Sequence, residues 1–239
     1  MRIDVLGVGF DNLTMDEAVA EAKRTLDRDE TCYCVTPNPE IVYEAGRDEA
    51  FRNLLNGAAL VLPDGVGIIL GAKILRTPLK EKVSGVDFAE RLAALLETEG
   101  KSLYLLGGKP GVAALAAEKL RERYPGLDIC GVRDGYFQDE VPVLAEIRAA
   151  KPAVLFVCLG SPKQEYFMRD HLDEMDGCLM VGLGGTLDAF AGTVKRAPLW
   201  MQRLGLEWFY RLIKEPRRFK RQLRLPKFVF AALRKRLKG

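Results

Sequence analysis

Apolar residues occur along the chain in two kinds of segment, which follow each other in turn. Short runs that are apolar throughout indicate buried strands, and longer segments with apolar residues three or four positions apart indicate amphipathic helices. Strands are predicted at 3–8, 31–36, 58–62, 102–106, 127–132, 153–159 and 178–183. Helices are predicted between them, among others at 14–28, 65–75, 86–99, 141–149 and 162–174. Because such alternation is typical of a parallel sheet covered on both faces, the pattern predicts an α/β fold, a Rossmann-like, mostly parallel sheet flanked by helices.

The end of the chain differs in charge from the rest. Residues 195–239 contain 15 Lys and Arg against two acidic residues, whereas residues 1–194 contain 21 basic and 31 acidic residues. In the same region Trp200, Leu204 and Trp208 follow each other at the i, i+4 spacing of one helix face. The sequence therefore predicts two parts, a Rossmann-like domain at 1–194 and a basic amphipathic C-terminal helical appendage at 195–239.

An acidic body with a basic appendage predicts an anionic partner for the appendage. Since the aromatic residues are grouped with aliphatic ones on helix faces, an anionic membrane surface is favoured over base stacking, and no nucleic acid is expected. The alternative is a basic helix that packs on its own domain. The apolar face of the appendage also suits contact between the subunits of a homo-oligomer.

Composition excludes several kinds of site. The single histidine, His171, is expected on the surface of a helix, so no Ser–His–Asp triad is expected and a Cys nucleophile would lack its imidazole partner. One histidine is also too few for a His/Cys metal cluster. The five cysteines lack CxxC spacing and are expected as buried free thiols of a reducing cytosol. No apolar run approaches the roughly 20 residues that span a bilayer, and no signal peptide is recognised. The sequence predicts a cytoplasmic protein with no metal and no cofactor.

Polar residues follow the predicted strands, and in a parallel sheet these positions share one edge. Those residues are Thr36, Asn38, Asp64 and Gln164. Each has a structural alternative, because Asn38 and Asp64 are favoured helix caps and Thr36 can simply end a strand. Gln164 lies three residues after Ser161, the spacing of a capping box. Together, polar groups and helix N-termini on one edge suit a phosphorylated ligand, with Asp64 beside it as the candidate base.

A glycine run at 107–111 follows the fourth predicted strand. It has neither the GxGxxG spacing of dinucleotide-binding folds nor the lysine–serine end of a P-loop, which disfavours the competing class, a nicotinamide-dependent oxidoreductase. The amides of Gly107 and Gly108 and the following helix N-terminus can still hold a diphosphate. A non-catalytic membrane adaptor that uses only the appendage stays open on these observations.

Several short motifs occur in order over essentially the whole chain. They are TPNPE at 36–40, PDGVG at 63–67, VSGVD at 83–87, GSPKQE at 160–165, GGTLD at 184–188, RAP at 196–198 and EWFYRL at 207–212. They resemble the TagA/WecG/CpsF glycosyltransferases, and the basic run at 215–221 looks closest to the TagA branch. That branch transfers N-acetylmannosamine from its UDP donor to undecaprenyl-diphosphate-linked N-acetylglucosamine, a step of wall teichoic acid synthesis.

The resemblance implies an inverting, metal-independent enzyme, peripheral on the inner face of the cell membrane. Asp64 would take the proton from the 4-hydroxyl of the acceptor sugar as that oxygen attacks the donor. Lys82 stands where an arginine is expected before VSGVD, which keeps the charge but loses the bidentate geometry. The donor sugar stays open, because related enzymes use other UDP-sugars, such as those of N-acetylmannosamine uronate or glucose.

The residues expected to contact substrate come from the strand ends and from the appendage. They are Thr36, Asn38, Lys82, Gly107, Gly108, Tyr136, Gln164, Asp188, Arg196, Arg211, Arg218 and Arg221. By the resemblance, Tyr136 and Asp188 are candidates for contacts with the uridine. The arginines at 211, 218 and 221 are expected to reach the lipid diphosphate, since guanidinium forks fit phosphate oxygens.

Overall fold

The computed structural model describes residues 1–214 and 224–238, apart from the side chains of residues 199, 203, 211 and 238. An antiparallel hairpin, Arg2–Val5 (β1) and Val8–Asp11 (β2), precedes a six-stranded sheet. The sheet strands are Cys32–Val35 (β3), Leu60–Val61 (β4), Leu103–Gly107 (β5), Ile129–Arg133 (β6), Val154–Cys158 (β7) and Leu179–Gly182 (β8). Their order is β4-β3-β8-β7-β5-β6 with every pair parallel, so the predicted parallel sheet is confirmed and all six carboxyl ends share one edge.

Helices connect and cover the strands. They are Met15–Asp27 (α1), Pro39–Ala45 (α2), Glu49–Asn56 (α3), Val66–Ile74 (α4), Gly85–Glu99 (α5), Val112–Arg123 (α6), Val141–Ala150 (α7), Lys163–Asp170 (α8), Thr186–Phe190 (α9), Leu199–Arg203 (α10), Glu207–Lys214 (α11) and Arg224–Lys238 (α12). The helix predicted at 162–174 is shorter than expected, since α8 ends at Asp170 and a 3-10 turn, Leu172–Glu174, follows it.

The first predicted strand, at 3–8, is wrong, because the chain reverses within it. Leu6 and Gly7 form the turn of the β1–β2 hairpin, with φ of 57° and 96°. The N–H of Gly7 donates to Asp4 Oδ2 at 3.0 Å, which holds the reversal. An apolar residue at position 6 concealed the turn, since turn residues are usually polar or glycine.

Each face of the sheet has its own apolar core. One core contains the hairpin, α2, α3, α4, α7, α8 and α12, with Phe51 and Phe228 buried in it. The other contains α1, α5, α6 and α9 and includes Phe88. Neighbouring strand residues point to opposite faces, as Leu155 and Phe156 do, and both are fully buried. Burial on both faces explains why the strands are apolar throughout.

The last described helix, α12, packs against α2 and α4. Phe228 is fully buried there, and a Cβ at Gly71 would lie 2.7 Å from its Cζ, so only glycine permits this close contact. Arg224 Nη1 pairs with Glu44 Oε2 at 2.7 Å. This part of the basic appendage therefore shares the apolar core of the body, as the alternative of a helix packed on its own domain expects.

Candidate active site

A pocket lies at the carboxyl edge of the sheet, over the ends of β4, β3 and β8. We call it the Asp64 pocket. Its polar lining among the described residues includes Asn38, Glu40, Asp64, Ser84, Thr186 and Glu207. Trp208 and Leu225 from the C-terminal part of the chain complete one wall. Two residues predicted from separate strand ends, Asn38 and Asp64, are thus brought together.

Asp64 is partly buried in the wall of this pocket. Its N–H donates to the carbonyl of Pro37 at 3.3 Å, which joins the turn after β4 to the turn after β3. The N-cap position of α4 belongs to Gly65, at φ 92°. Asp64 therefore lies one residue before the N-cap position that its structural alternative expected it to take.

Asn38 is the helix cap that its sequence context predicts. Its Oδ1 accepts from the N–H of Glu40 at 2.9 Å and from that of Ile41 at 3.1 Å, and Pro39 takes the first helical position. An asparagine amide carries its donor on the other atom, so Nδ2 can still donate to a ligand in the pocket. Capping and ligand contact are compatible at this residue.

Thr36 and Gln164 are buried behind the described lining of the pocket. Thr36 Oγ1 donates to the carbonyl of Gly182 at 2.9 Å. Gln164 Oε1 accepts from the N–H of Gly184 at 2.9 Å, and its Nε2 donates to Glu165 Oε1 at 2.9 Å. Both side chains therefore bind the turn that follows β8.

The capping-box interpretation of Gln164 is wrong. Helix α8 begins at Lys163 with Pro162 as its N-cap residue, and no side chain of the described residues caps it. The side chain of Gln164 crosses instead to the end of β8. Glycine at position 182 leaves room for it, since a Cβ there would lie 3.1 Å from Gln164 Nε2.

Four charged residues form a chain of ion pairs beside the pocket. Glu207 Oε2 lies 3.1 Å from Lys82 Nζ, and Glu207 Oε1 lies 3.9 Å from Arg196 Nη2. Arg196 Nη2 also pairs with Asp87 Oδ1 at 2.8 Å. Two residues predicted to bind substrate, Lys82 and Arg196, thus meet a carboxylate from α11.

The turns after β5, β6 and β7 pack on each other through glycines. Gly107 has φ 132°, and a Cβ there would collide with the carbonyl oxygen of Cys158. The N–H of Gly135 donates to the carbonyl of Gly108 at 2.9 Å, and the adjoining Tyr136 is 69% exposed. At about 4.8 Å per strand, β6 lies about 24 Å from β4, so Tyr136 and the glycine turn are at the other end of the edge from Asp64.

The remaining predicted residues come after β8, the last strand of the sheet. Asp188 is in α9, and its Oδ1 accepts from Thr193 Oγ1 at 3.3 Å. Arg211 belongs to α11, but its side chain lies outside the described residues, as do Arg218 and Arg221 altogether. Their contacts with a lipid diphosphate stay predictions.

The cysteines are poor nucleophiles, because burial raises the pKa of their thiols. All five are free thiols, as expected, but only three are buried, since Cys32 and Cys130 are partly exposed. Burial raises the pKa of Cys158 and of Cys178 to about 12, and that of Cys32 to about 11. Thiolate is therefore scarce at neutral pH. Among residues 1–214 and 224–238, no group of three or more His, Cys, Asp or Glu could hold a metal ion.

His171 is not the surface residue expected from the sequence, since only 12% of its side chain is exposed. Its Nδ1 lies 2.7 Å from Glu174 Oε1 and its Nε2 lies 3.0 Å from Glu140 Oε2. Burial lowers the pKa of the imidazole, but the hydrogen bonds to the two carboxylates outweigh it, and the pKa is raised. His171 therefore links the start of α7 to the end of α8.

Comparison with known proteins gives the family. The profile of the glycosyl transferase WecG/TagA/CpsF family matches residues 3–239. The chain belongs to this family. It is similar to enzymes named N-acetylglucosaminyldiphosphoundecaprenol N-acetyl-beta-D-mannosaminyltransferase. Those of Bacillus spizizenii and Bacillus subtilis are 37% and 38% identical, over 87% and 83% of this chain and 81% and 78% of their own length. One from Staphylococcus aureus is 32% identical, over 96% of this chain and 91% of its own.

In this WecG/TagA/CpsF glycosyl transferase, the structure adds site residues that sequence reasoning missed. Ser84 and Thr186 line the pocket and lie within two of the motifs, VSGVD and GGTLD, so the motifs carried the signal although neither residue was selected. Glu207 is the first residue of a third motif, EWFYRL, and was not selected either. Its contact with Lys82, which lies 125 positions earlier in the chain, could not be predicted from local spacing.

Proposed function

We propose that this protein is an inverting glycosyltransferase that transfers N-acetylmannosamine from UDP-N-acetylmannosamine to the 4-hydroxyl of undecaprenyl-diphosphate-linked N-acetylglucosamine, the linkage-unit step of wall teichoic acid synthesis. The names of the relatives from Bacillus and Staphylococcus support this sugar and this acceptor. The observation that carries the proposal is the position of Asp64, a partly buried carboxylate in a pocket at the carboxyl edge of the sheet.

In the proposed reaction Asp64 is the general base. Its carboxylate takes the proton of the acceptor hydroxyl while that oxygen forms a bond to the anomeric carbon of the donor sugar. The bond between this carbon and UDP breaks on the opposite face, and its electron pair leaves with UDP. Asn38 Nδ2 and the hydroxyl of Ser84, both in the lining, are placed to hold the sugar by hydrogen bonds.

The departing UDP carries negative charge that the protein must meet. Helix α6 begins after Gly111 without a cap from any described side chain, and its first N–H, that of Val112, donates to the carbonyl of Lys109 at 2.9 Å. The next N–H groups of the helix, those of Ala113 and Ala114, are the ones that would meet a phosphate.

Lys82 and Arg196 add positive charge beside the pocket. Because Glu207 pairs with Lys82, a diphosphate competes with that carboxylate for the ammonium group. We propose that Tyr136 and the turn at Gly107 and Gly108 bind the uridine end of the donor.

The acceptor of the proposed reaction is attached to a lipid, and two residues that line the pocket present exposed apolar side chains. Val66 and Trp208 line it and are 42% and 37% exposed, and Trp200, Leu204 and Phe209 are exposed on the same C-terminal part of the chain. An apolar patch beside a basic segment suits an anionic bilayer, with about 1 kcal/mol for each Lys or Arg near the surface. No described helix is long and apolar enough to cross a membrane. On the strength of the apolar and basic surface, we propose peripheral binding to the inner face of the membrane.

The experiment that tests the activity is a UDP-release assay with a panel of UDP-sugars and a short-chain N-acetylglucosamine-diphospholipid. We expect turnover with UDP-N-acetylmannosamine that requires the lipid acceptor. Faster turnover with the uronate or glucose donor would keep the reaction class and correct the sugar. If no UDP-sugar is turned over with the acceptor present, the proposed function is wrong.

Membrane binding is tested by sedimentation with vesicles. The wild-type protein should sediment with vesicles that contain anionic lipid and much less with neutral ones, and added salt should release it. A double variant, Trp200→Ser with Phe209→Ser, should lose most of this binding without losing UDP affinity. If the variant sediments with anionic vesicles as much as wild type does, the exposed apolar patch does not bind the membrane.

A further inference from the structure

Glu165 is a buried carboxyl group that the proposed reaction does not use. It lies in the first turn of α8 and is 1% exposed. Its Oε1 accepts from Gln164 Nε2, and its Oε2 has no hydrogen-bond partner among the described residues. Burial raises the pKa of this carboxyl group, and interactions with the Gln164 amide, its own backbone N–H and the nearby Ser161 hydroxyl offset that rise only in part. A buried polar group with so few partners costs stability, so its presence points to a role that offsets the cost.

The two partners of Gln164 fix which way its amide faces. The N–H of Gly184 can only donate, so the amide oxygen must lie toward it, at 2.9 Å. Glu165 Oε1 accepts, so the amide nitrogen must lie toward the carboxyl group, also at 2.9 Å. If the amide turned over, both contacts would be lost at once, because each would pair like with like. Glu165 therefore selects one orientation of Gln164.

That orientation holds the turn after β8 from one side, and Thr36 holds it from the other. Gln164 Oε1 binds the N–H of Gly184, while Thr36 Oγ1 donates to the carbonyl of Gly182. The turn leads directly to Leu183 and Thr186, which line the Asp64 pocket. Movement of the turn would therefore move one wall of the pocket.

We propose that Glu165 is a positioning residue, whose carboxyl group holds the Gln164 amide in the orientation that fixes the Gly182–Gly184 turn and, through it, the Leu183 and Thr186 wall of the Asp64 pocket. Glu165 acts through Gln164 and does not contact the substrate. The expected effect of Glu165 on turnover rests on the proposed function. Its expected effect on the structure, a stable hydrogen bond between the Gly184 N–H and Gln164, does not.

The test compares two variants of similar volume. Glu165→Gln keeps an oxygen that accepts from Gln164 Nε2, and Glu165→Met removes the acceptor without leaving a cavity. We expect kcat/KM for the UDP-sugar to fall about tenfold in E165M and to stay within about threefold of wild type in E165Q. If E165M retains the wild-type kcat/KM, the positioning role is wrong.

Stability separates positioning from simple support of the fold. The E165M variant ends the desolvation cost of the carboxyl group but leaves the buried Gln164 Nε2 without its acceptor, so the two effects oppose each other and the melting temperature is expected to change little. Activity should then fall without a matching fall in stability. A fall of both together would assign Glu165 to folding and overturn the proposal.

Two further measurements show whether Glu165 acts through Gln164. In a Gln164→Ala background, E165M and E165Q should have the same kcat/KM, because the residue they act on is gone. Amide hydrogen exchange at Gly184 should be faster in E165M than in wild type. If wild type turns over no UDP-sugar, the proposed function fails, and the exchange rate alone still decides the inference. Wild-type protection of Gly184 in E165M would contradict it.

Discussion

The two ends of the sheet's carboxyl edge are built differently. At the β4–β3–β8 end, side chains form the site: Asp64 and Asn38 line the pocket, and Gln164 supports its wall from behind. At the β5–β6 end, the backbone forms the surface, with Gly107 packed on the carbonyl of Cys158. One end offers a carboxylate and fixed hydrogen-bond partners, and the other offers turns with positive φ and a helix N-terminus.

This difference matches the two tasks of a glycosyl transfer. Generating the nucleophile requires one base held at a defined position, which only a side chain can supply. Accepting a leaving diphosphate requires hydrogen-bond donors, and in the proposed reaction the closely packed turns and a helix N-terminus would supply them. Substitutions at the first end should therefore change turnover, and substitutions at the second should change donor binding or the fold.

The largest effect is expected from Asp64→Asn. Loss of the base should lower kcat by about 10²- to 10⁴-fold, whereas UDP affinity should stay within about twofold of wild type. The measurements are UDP release for turnover and calorimetry for UDP binding. Asp173→Asn, an exposed carboxylate on the 3-10 turn after α8, is the matched control and should keep wild-type turnover. Near-normal kcat in D64N would show that another group is the base.

The glycine end is tested by a pair of alanine substitutions. Gly107→Ala forces a Cβ onto the carbonyl of Cys158 at φ 132°, so about 3 kcal/mol or more of unfolding free energy should be lost. Gly111→Ala also meets a positive φ, 84°, but with nothing within 4 Å, and should lose about 1 kcal/mol. Urea denaturation measures both. Equal losses would mean that close packing of the turns is unimportant.

A smaller effect is expected where the appendage meets the pocket. Glu207→Gln removes the carboxylate that pairs with Lys82, so UDP should bind about two- to fivefold more tightly at low salt. Calorimetry at two salt concentrations checks this, because the gain should shrink as salt rises. Glu49→Gln, which removes an exposed i, i+3 pair with Arg52, serves as the control. Weaker UDP binding in E207Q would show that Glu207 supports the site rather than competing with the ligand.

Much of the fold could be predicted because burial on both faces makes a strand apolar throughout, as in β5 and β7. Local signals were equally direct, since the capping box of Thr14 and Glu17 and the cap at Asn38 involve neighbours in sequence. The hairpin at Leu6 was missed because its tight turn carries an apolar residue. Local pattern therefore succeeds where the physical cause is itself local.

The site was harder to predict because its contacts join distant segments. The side chain of Gln164 follows the spacing of a capping box, yet its partner is Gly184, 20 positions away. Glu207 and Lys82 likewise meet only after the sheet has assembled. Asp64 could be selected from the sequence, but only the structure shows that Gly65 takes the N-cap position of α4.

The smallest effect is expected at His171, which ties α7, the helix that follows the β6 turn, to the end of α8. Its raised pKa means that the stabilisation is complete below the ordinary value of 6.5 and is lost as pH rises through the folded-state pKa. His171→Gln should therefore lower the melting temperature by about 2–4 °C near pH 6 and by much less near pH 9. Thermal melts of both proteins across this range measure the difference. A gap in melting temperature that does not change with pH would show that the imidazole contributes packing alone.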